Sequence, residues 1–157
     1  MCLMVYLGSD APVDGWSDVP LGEVGLEVEV ANRPVALAGK VYVYRLADRL
    51  SAGWNCSCIF YHFDLGDSDT PNAETLSAFA RLAEIVHGAA ASGAKPILYA
   101  CWAGEEGNPP GVAWALAPHH IVPEANIFTN PDVANGPRKT VLVRVDRSIE
   151  EPNRDVL

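Results

Sequence analysis

The chain has 157 residues, 49% apolar and 20% charged, with 20 acidic residues against 11 Lys plus Arg and a formal net charge of −9. That length implies one domain able to bury a core without disulfides or metal. The densest basic spot is Arg138-Lys139, too little to bind nucleic acid or an anionic membrane surface, and no apolar run is long enough to span a bilayer.

Residues 1–7 are apolar but too short for a signal core, and they lack a basic flank. Cys2, Cys56, Cys58 and Cys101 do not have the spacing of a secreted disulfide scaffold, so reduced thiols and a cytoplasmic location are expected.

In chain order, residues 3–8 are apolar on both faces and read as a buried strand. Residues 9–21, rich in Pro, Gly and Asp, form a loop. Val24, Leu26, Val28 and Val30 alternate with Gly25, Glu27 and Glu29, the period of a strand with one wet face at or near a sheet edge. Residues 41–45 are a further strand, and residues 57–63 a strand covered on both sides. An acidic loop (64–70) leads to a helix over 71–92, with Thr70 as N-cap, Pro71 at its first position, and Gly93 and Pro96 as the stop. Leu76, Phe79, Ala80, Ala83, Val86, His87 and Ala90 form its apolar stripe, while Glu74, Ser77, Arg81 and Glu84 face water.

Residues 96–102 are a central strand, and 103–107 the loop leaving it. Residues 112–117 are a strand or short helix, 127–129 and 141–145 a hairpin, and 150–157 a poorly ordered polar tail. Strand, helix and strand over 57–102 make a βαβ unit with both strands parallel. The fold predicted is therefore α+β: a mixed sheet of five or six strands containing that unit, one long helix on one face, in a single domain over 1–149.

Met1-Cys2-Leu3, Cys56-Ser57-Cys58-Ile59-Phe60 and the run from Leu98 through Cys101-Trp102-Ala103-Gly104-Glu105-Glu106 resemble a family of short, uncharacterised bacterial proteins. That family starts Met-Cys-Leu, carries a mid-chain Cys-x-Cys followed by an aromatic, and has a later Cys-Trp-x-Gly-acid segment. The chain departs from the pattern at Ser57, where the family has glycine. The resemblance implies no activity and no residue roles.

The chemistry-bearing residues gather, on this reading, where the two parallel strands end. His62, Asp64, Asp67, Cys101, Trp102, Glu105 and Glu106 would line a pocket whose aromatic face and carboxylates suit a small cationic molecule. An enzyme alternative uses the same edge, with Cys101 beside His62 as nucleophile, or a metal held by Asp64, Asp67 and Glu105 activating water. A third reading is an interaction module that dimerises through the exposed strand 24–30.

Each reading has an ordinary counterpart: a packed histidine, an inert buried thiol, and carboxylates stabilised by the start of a helix. Cys-x-Cys is a weaker metal signal than Cys-x-x-Cys, and the βαβ geometry keeps Cys58 far from Cys101. A smaller cluster of Cys2 with Cys56 and Cys58 needs the first strand to start beside them, so no metal ligation is expected. Cofactor identity is left open. Expected partners are a small molecule and a second copy of the chain.

Overall fold

A computed structural model describes residues 2–28, 32–51, 53–60, 71–123, 127–128 and 140–156. β1 (Leu3–Ser9) is buried over most of its length, as its unbroken apolar run demands. β2 (Val24–Glu27) and β3 (Tyr42–Leu50) follow, and β3 pairs antiparallel with both earlier strands. The short β4 (Gly53–Trp54) folds back on the end of β3. After α1 (Ala73–Ala91) come β5 (Ile97–Trp102), β6 (Val112–Leu116), β7 (Val141–Val145) and β8 (Asn153–Val156). Among the described residues they join in the order β2-β3-β1-β5-β7-β6-β8, with β4 on β3. β6 and β7 are parallel, and the other described pairs are antiparallel.

The architecture is α+β, a mixed sheet with one long helix on one face, although the sheet has eight described strands where the sequence suggested five or six. Side chains alternate across β1. Val5 and Leu7 join Leu98, Ala100, Val141 and Val143 in the large core shared with Phe79, Leu82, Ile85 and Val86 of α1. Tyr6 points the other way, into a smaller cluster with Tyr99, Cys101, Leu142 and Leu37. Leu82 and Ile85 have no exposed surface, and burying each stabilises the fold by about 1.5–3 kcal/mol.

The βαβ unit is not built as predicted. Residues Cys58–Phe60 form a 3-10 turn, and both ladder neighbours of β5 are antiparallel strands, β1 and β7. A short apolar run cannot by itself be told from another kind of buried segment. Here Phe60 is buried because it meets Phe79 of α1 edge-on, with ring centroids 5.6 Å apart, and Phe128 at 5.9 Å. A split version of the unit does exist. β3 and β5 run the same way, since each is antiparallel to β1, and α1 lies between them in the chain.

Smaller expectations shift as well. Asn72 caps α1, its side-chain oxygen accepting from the Thr75 N–H at 2.8 Å; Thr70 lies outside the described residues. Gly93 (φ +80°) ends the helix, with the Ala94 N–H donating to Ala89 O at 3.0 Å. The buried stripe is Ala78, Phe79, Leu82, Ile85, Val86 and Ala89, whereas Leu76 is 46% exposed and His87 and Ala80 face outward. The stripe is therefore rotated from the one predicted, because packing against Phe60 and the sheet selects Leu82 and Ile85 over Leu76.

β7 pairs with β5 and β6, and the described part of the predicted partner strand, Ile127 and Phe128, is buried in the core as a turn; residue 129 lies outside the described residues. Residues 153–156 are not a loose tail. Their backbone adds β8 to the edge of β6, a pairing that needs hydrogen-bonding groups and no apolar side chains. Among the described residues no helix is long and apolar enough to cross a membrane.

Candidate functional site

Of the four predicted site residues that are described, three lie on one side of the sheet and Trp102 on the other. His62, Asp64 and Asp67 lie outside the described residues. Cys101 and Trp102 are consecutive on β5, so they point to opposite faces of the sheet. Cys101 sits in the small cluster with Tyr6 and Tyr99, while Trp102 packs against the helix-side core.

Glu105 and Glu106 join Cys101 on its side, where Glu106 serves as a brace. Its Oε1 accepts from the Tyr6 hydroxyl at 3.1 Å and its Oε2 from the Gly104 N–H at 2.9 Å. Gly104 (φ +93°) supplies the left-handed backbone that folds the carboxylate back on its own loop.

Burial and the nearby Glu106 and Glu105 carboxylates push the Cys101 thiol up to about 12. Burial, Cys101 and the two glutamates also raise the Tyr99 phenol to about 12, against a hydrogen bond with Thr140 that lowers it. Cys101 is therefore a protonated, packed thiol at neutral pH, which is the opposite of what a nucleophile needs.

Among the described residues, a cavity lies beside the first half of α1. A cleft of about 610 Å³ opens between α1 and the β2–β3 corner. One wall is Glu23 and Asp48, fixed because the Arg49 N–H donates to Glu23 O (3.0 Å), the Gly22 N–H donates to Arg49 O (2.7 Å), and Asp48 is the register partner of Val24. The facing wall is the polar row Glu74, Ser77, Arg81 and Glu84 of α1, over a floor of Val24, Ile59 and Ala78.

Arg81 ties the walls together. One guanidinium nitrogen lies 3.0 Å from Glu23 and the other 4.0 Å from Glu84, and the group sits 4.5 Å from the Trp16 ring centroid. Gly25 makes this corner possible, since a Cβ there would run into the Trp16 carbonyl.

Four carboxylates thus face one guanidinium that is already engaged. The volume lies within the range of small-molecule sites, about 300–1,000 Å³, and an apolar floor with polar walls is their usual construction. Glu74 in the first turn offsets the positive end of the helix dipole at this point. Sequence reasoning marked the helix row as a solvated face. The signal it lacked was the opposite wall, which comes from residues about 26 to 61 positions away in the chain. No protein-family model, curated protein or solved structure matches this chain.

Proposed function

We propose that the protein binds a small cationic molecule with an apolar body, in the cleft between α1 and the β2–β3 corner. The observation that carries this reading is the acidic lining of a cavity of ligand size: Glu23, Asp48, Glu74 and Glu84 against Arg81 alone. A cation 4 Å from one carboxylate gains about 4 kcal/mol at an effective dielectric of 20, before desolvation reduces it. Val24, Ile59 and Ala78 offer the apolar contact that separates an organic amine from a hydrated metal ion.

Isothermal titration with a series of alkyl amines and guanidinium compounds, at low and physiological salt, tests the reading. Binding should weaken with salt, and Glu74→Gln or Glu84→Gln should each cost about 2- to 5-fold, the scale of partly screened ion pairs. Both residues are exposed, so neither change should disturb folding. Equal affinity for carboxylate analogues, or amine binding untouched by both substitutions, refutes it.

A second reading, self-association through β2, is supported by Leu21 and Val28, 63% and 57% exposed beside a strand at the end of the described sheet. Sedimentation that finds a monomer up to high concentration rejects it.

A further inference from the structure

Away from the cleft, Cys2 comes together with Cys56 and Cys58, more than fifty positions further along the chain. The sulfur atoms of Cys2, Cys56 and Cys58 all lie within 4.8 Å of one another. None is in a disulfide; Cys2 is exposed, and Cys56 and Cys58 are half-buried.

Hydrogen bonds at Cys2, Ser57 and Cys58 hold the group in place. The Ala103 N–H donates to Cys2 O at 2.9 Å, which fixes the start of β1 against the end of β5. The Ser57 N–H donates to Leu3 O at 3.0 Å, and the Ser57 hydroxyl is buried between β1 and β3, accepting from Val5 N–H at 2.8 Å and donating to Leu46 O. With Ser57 turned inward, its two neighbours present their thiols together beside Cys2. The Leu3 N–H, moreover, points at the Cys58 sulfur at 3.3 Å. An N–H directed at sulfur is the outer contact that orients and stabilises a ligating thiolate in metal sites.

We propose that Cys2, Cys56 and Cys58 form a binding site for a thiophilic d¹⁰ cation of the zinc type. Tetrahedral coordination with Zn–S bonds of 2.3 Å sets sulfur atoms about 3.8 Å apart. Sulfurs already within 4.8 Å need to close by only about 1 Å to reach that spacing. An all-sulfur donor set selects soft or borderline ions over Mg²⁺ and Ca²⁺, which take oxygen ligands. On binding, each coordinating thiol gives its proton to solvent and its sulfur lone pair to the ion, so a divalent ion with three thiolates leaves the site with one net negative charge. Cys2 is exposed, so the ion reaches the site from solvent. Once bound, it clamps the start of β1 to the turn beneath α1. Cys101 takes no part, being buried in the cluster on the opposite face of the sheet.

The test uses the full chain, reduced with a phosphine that does not bind metal, its thiols counted, and titrated with Co²⁺ and then Zn²⁺. One equivalent of Co²⁺ should bind with sulfur-to-cobalt charge-transfer absorption and visible bands of tetrahedral intensity, and Zn²⁺ should displace it. Cys2→Ser, Cys56→Ser and Cys58→Ser should each weaken binding by at least about 100-fold, beyond the 10- to 100-fold cost of losing an outer contact. Cys101→Ala should leave it unchanged. Cys2→Ser removes an exposed side chain, so a folding defect cannot mimic its effect; circular dichroism checks the other variants. In parallel, bound Zn²⁺ should protect all three thiols from alkylation, read by mass spectrometry. Absence of binding to the fully reduced chain overturns the proposal. So does Co²⁺ absorption lacking the sulfur bands, or surviving in the Cys2→Ser variant.

Discussion

Ser57 stands where a β1–β3 ladder bond would otherwise close, and replacing it by alanine gives the most direct check on how the fold is held. Its side chain has no exposed surface, and its hydroxyl accepts from the Val5 N–H at 2.8 Å while donating to Leu46 O. Val5 and Leu46 are register partners, so the hydroxyl relays between two strands and ties the turn 57–60 to both. Ser57→Ala leaves one buried donor and one buried acceptor without that partner. Each costs about 1–3 kcal/mol when unmet, and partial closure of the strands recovers some of it. A loss of about 2–4 kcal/mol is expected, or roughly 5–15 °C in Tm for a chain of this size.

Ser57→Gly should cost up to about 1 kcal/mol more through backbone freedom. Ser148→Ala is the control, since that hydroxyl makes only a local, exposed bond to Asp146 and its removal should cost under about 1 kcal/mol. Equilibrium urea unfolding in the presence of chelator, followed by tryptophan fluorescence, measures all three. A Ser57→Ala loss below about 1 kcal/mol with unchanged m-value would refute the relay.

Phe60→Ala removes the ring between Phe79 and Phe128 and should destabilise by about 3–5 kcal/mol, and a loss near 1 kcal/mol in the same urea assay would place Phe60 outside the core. The Cys101 thiol, raised from an ordinary value of 9.0 to about 12, binds its proton more tightly in the folded chain than in the unfolded one. Its contribution to stability is therefore complete below pH 9 and declines as pH rises toward 12; Tyr99, also raised to about 12, acts in the same direction. Stability should fall between pH 9 and 12, with the fall reduced in Cys101→Ala, and an equal fall in both proteins counts against the assignment. The Val112 N–H donates to Thr140 O beside β7, so the alternate amides of Ala113 and Ala115 face β8. Removing residues 153–157 should uncover that edge and raise hydrogen exchange at Ala113 and Ala115, whereas unchanged exchange there would mean that β8 does not pair.

Much of the fold class can be read from residue order alone, because hydrophobic periodicity is a local property. The unbroken apolar runs of β1 and β5, the alternation in β2 and the spacing in α1 each name an element from the side chains within it. Gly93 ends the helix where its left-handed conformation allows it. The same reasoning fails on Cys58–Phe60, where bulky residues satisfy a buried turn as well as a buried strand. It fails on Asn153–Val156, whose place in the sheet depends on a free edge made by another segment.

Which elements meet is a different matter, since pairing is decided by contacts between segments distant in the chain. β5 lies between β1 and β7, and that arrangement packs Cys101 into the small cluster with Tyr6 and Trp102 against the helix-side core. The same pairing sets the start of β1 beside the turn at 56–58 and brings three thiols together, and it sets the β2–β3 corner against α1 to create the acidic cleft. Residue order supplied the carboxylates and the cysteines. Only the packing of the helix on the sheet, driven by burying Phe60, Phe79, Leu82 and their neighbours, decided which of them stand together.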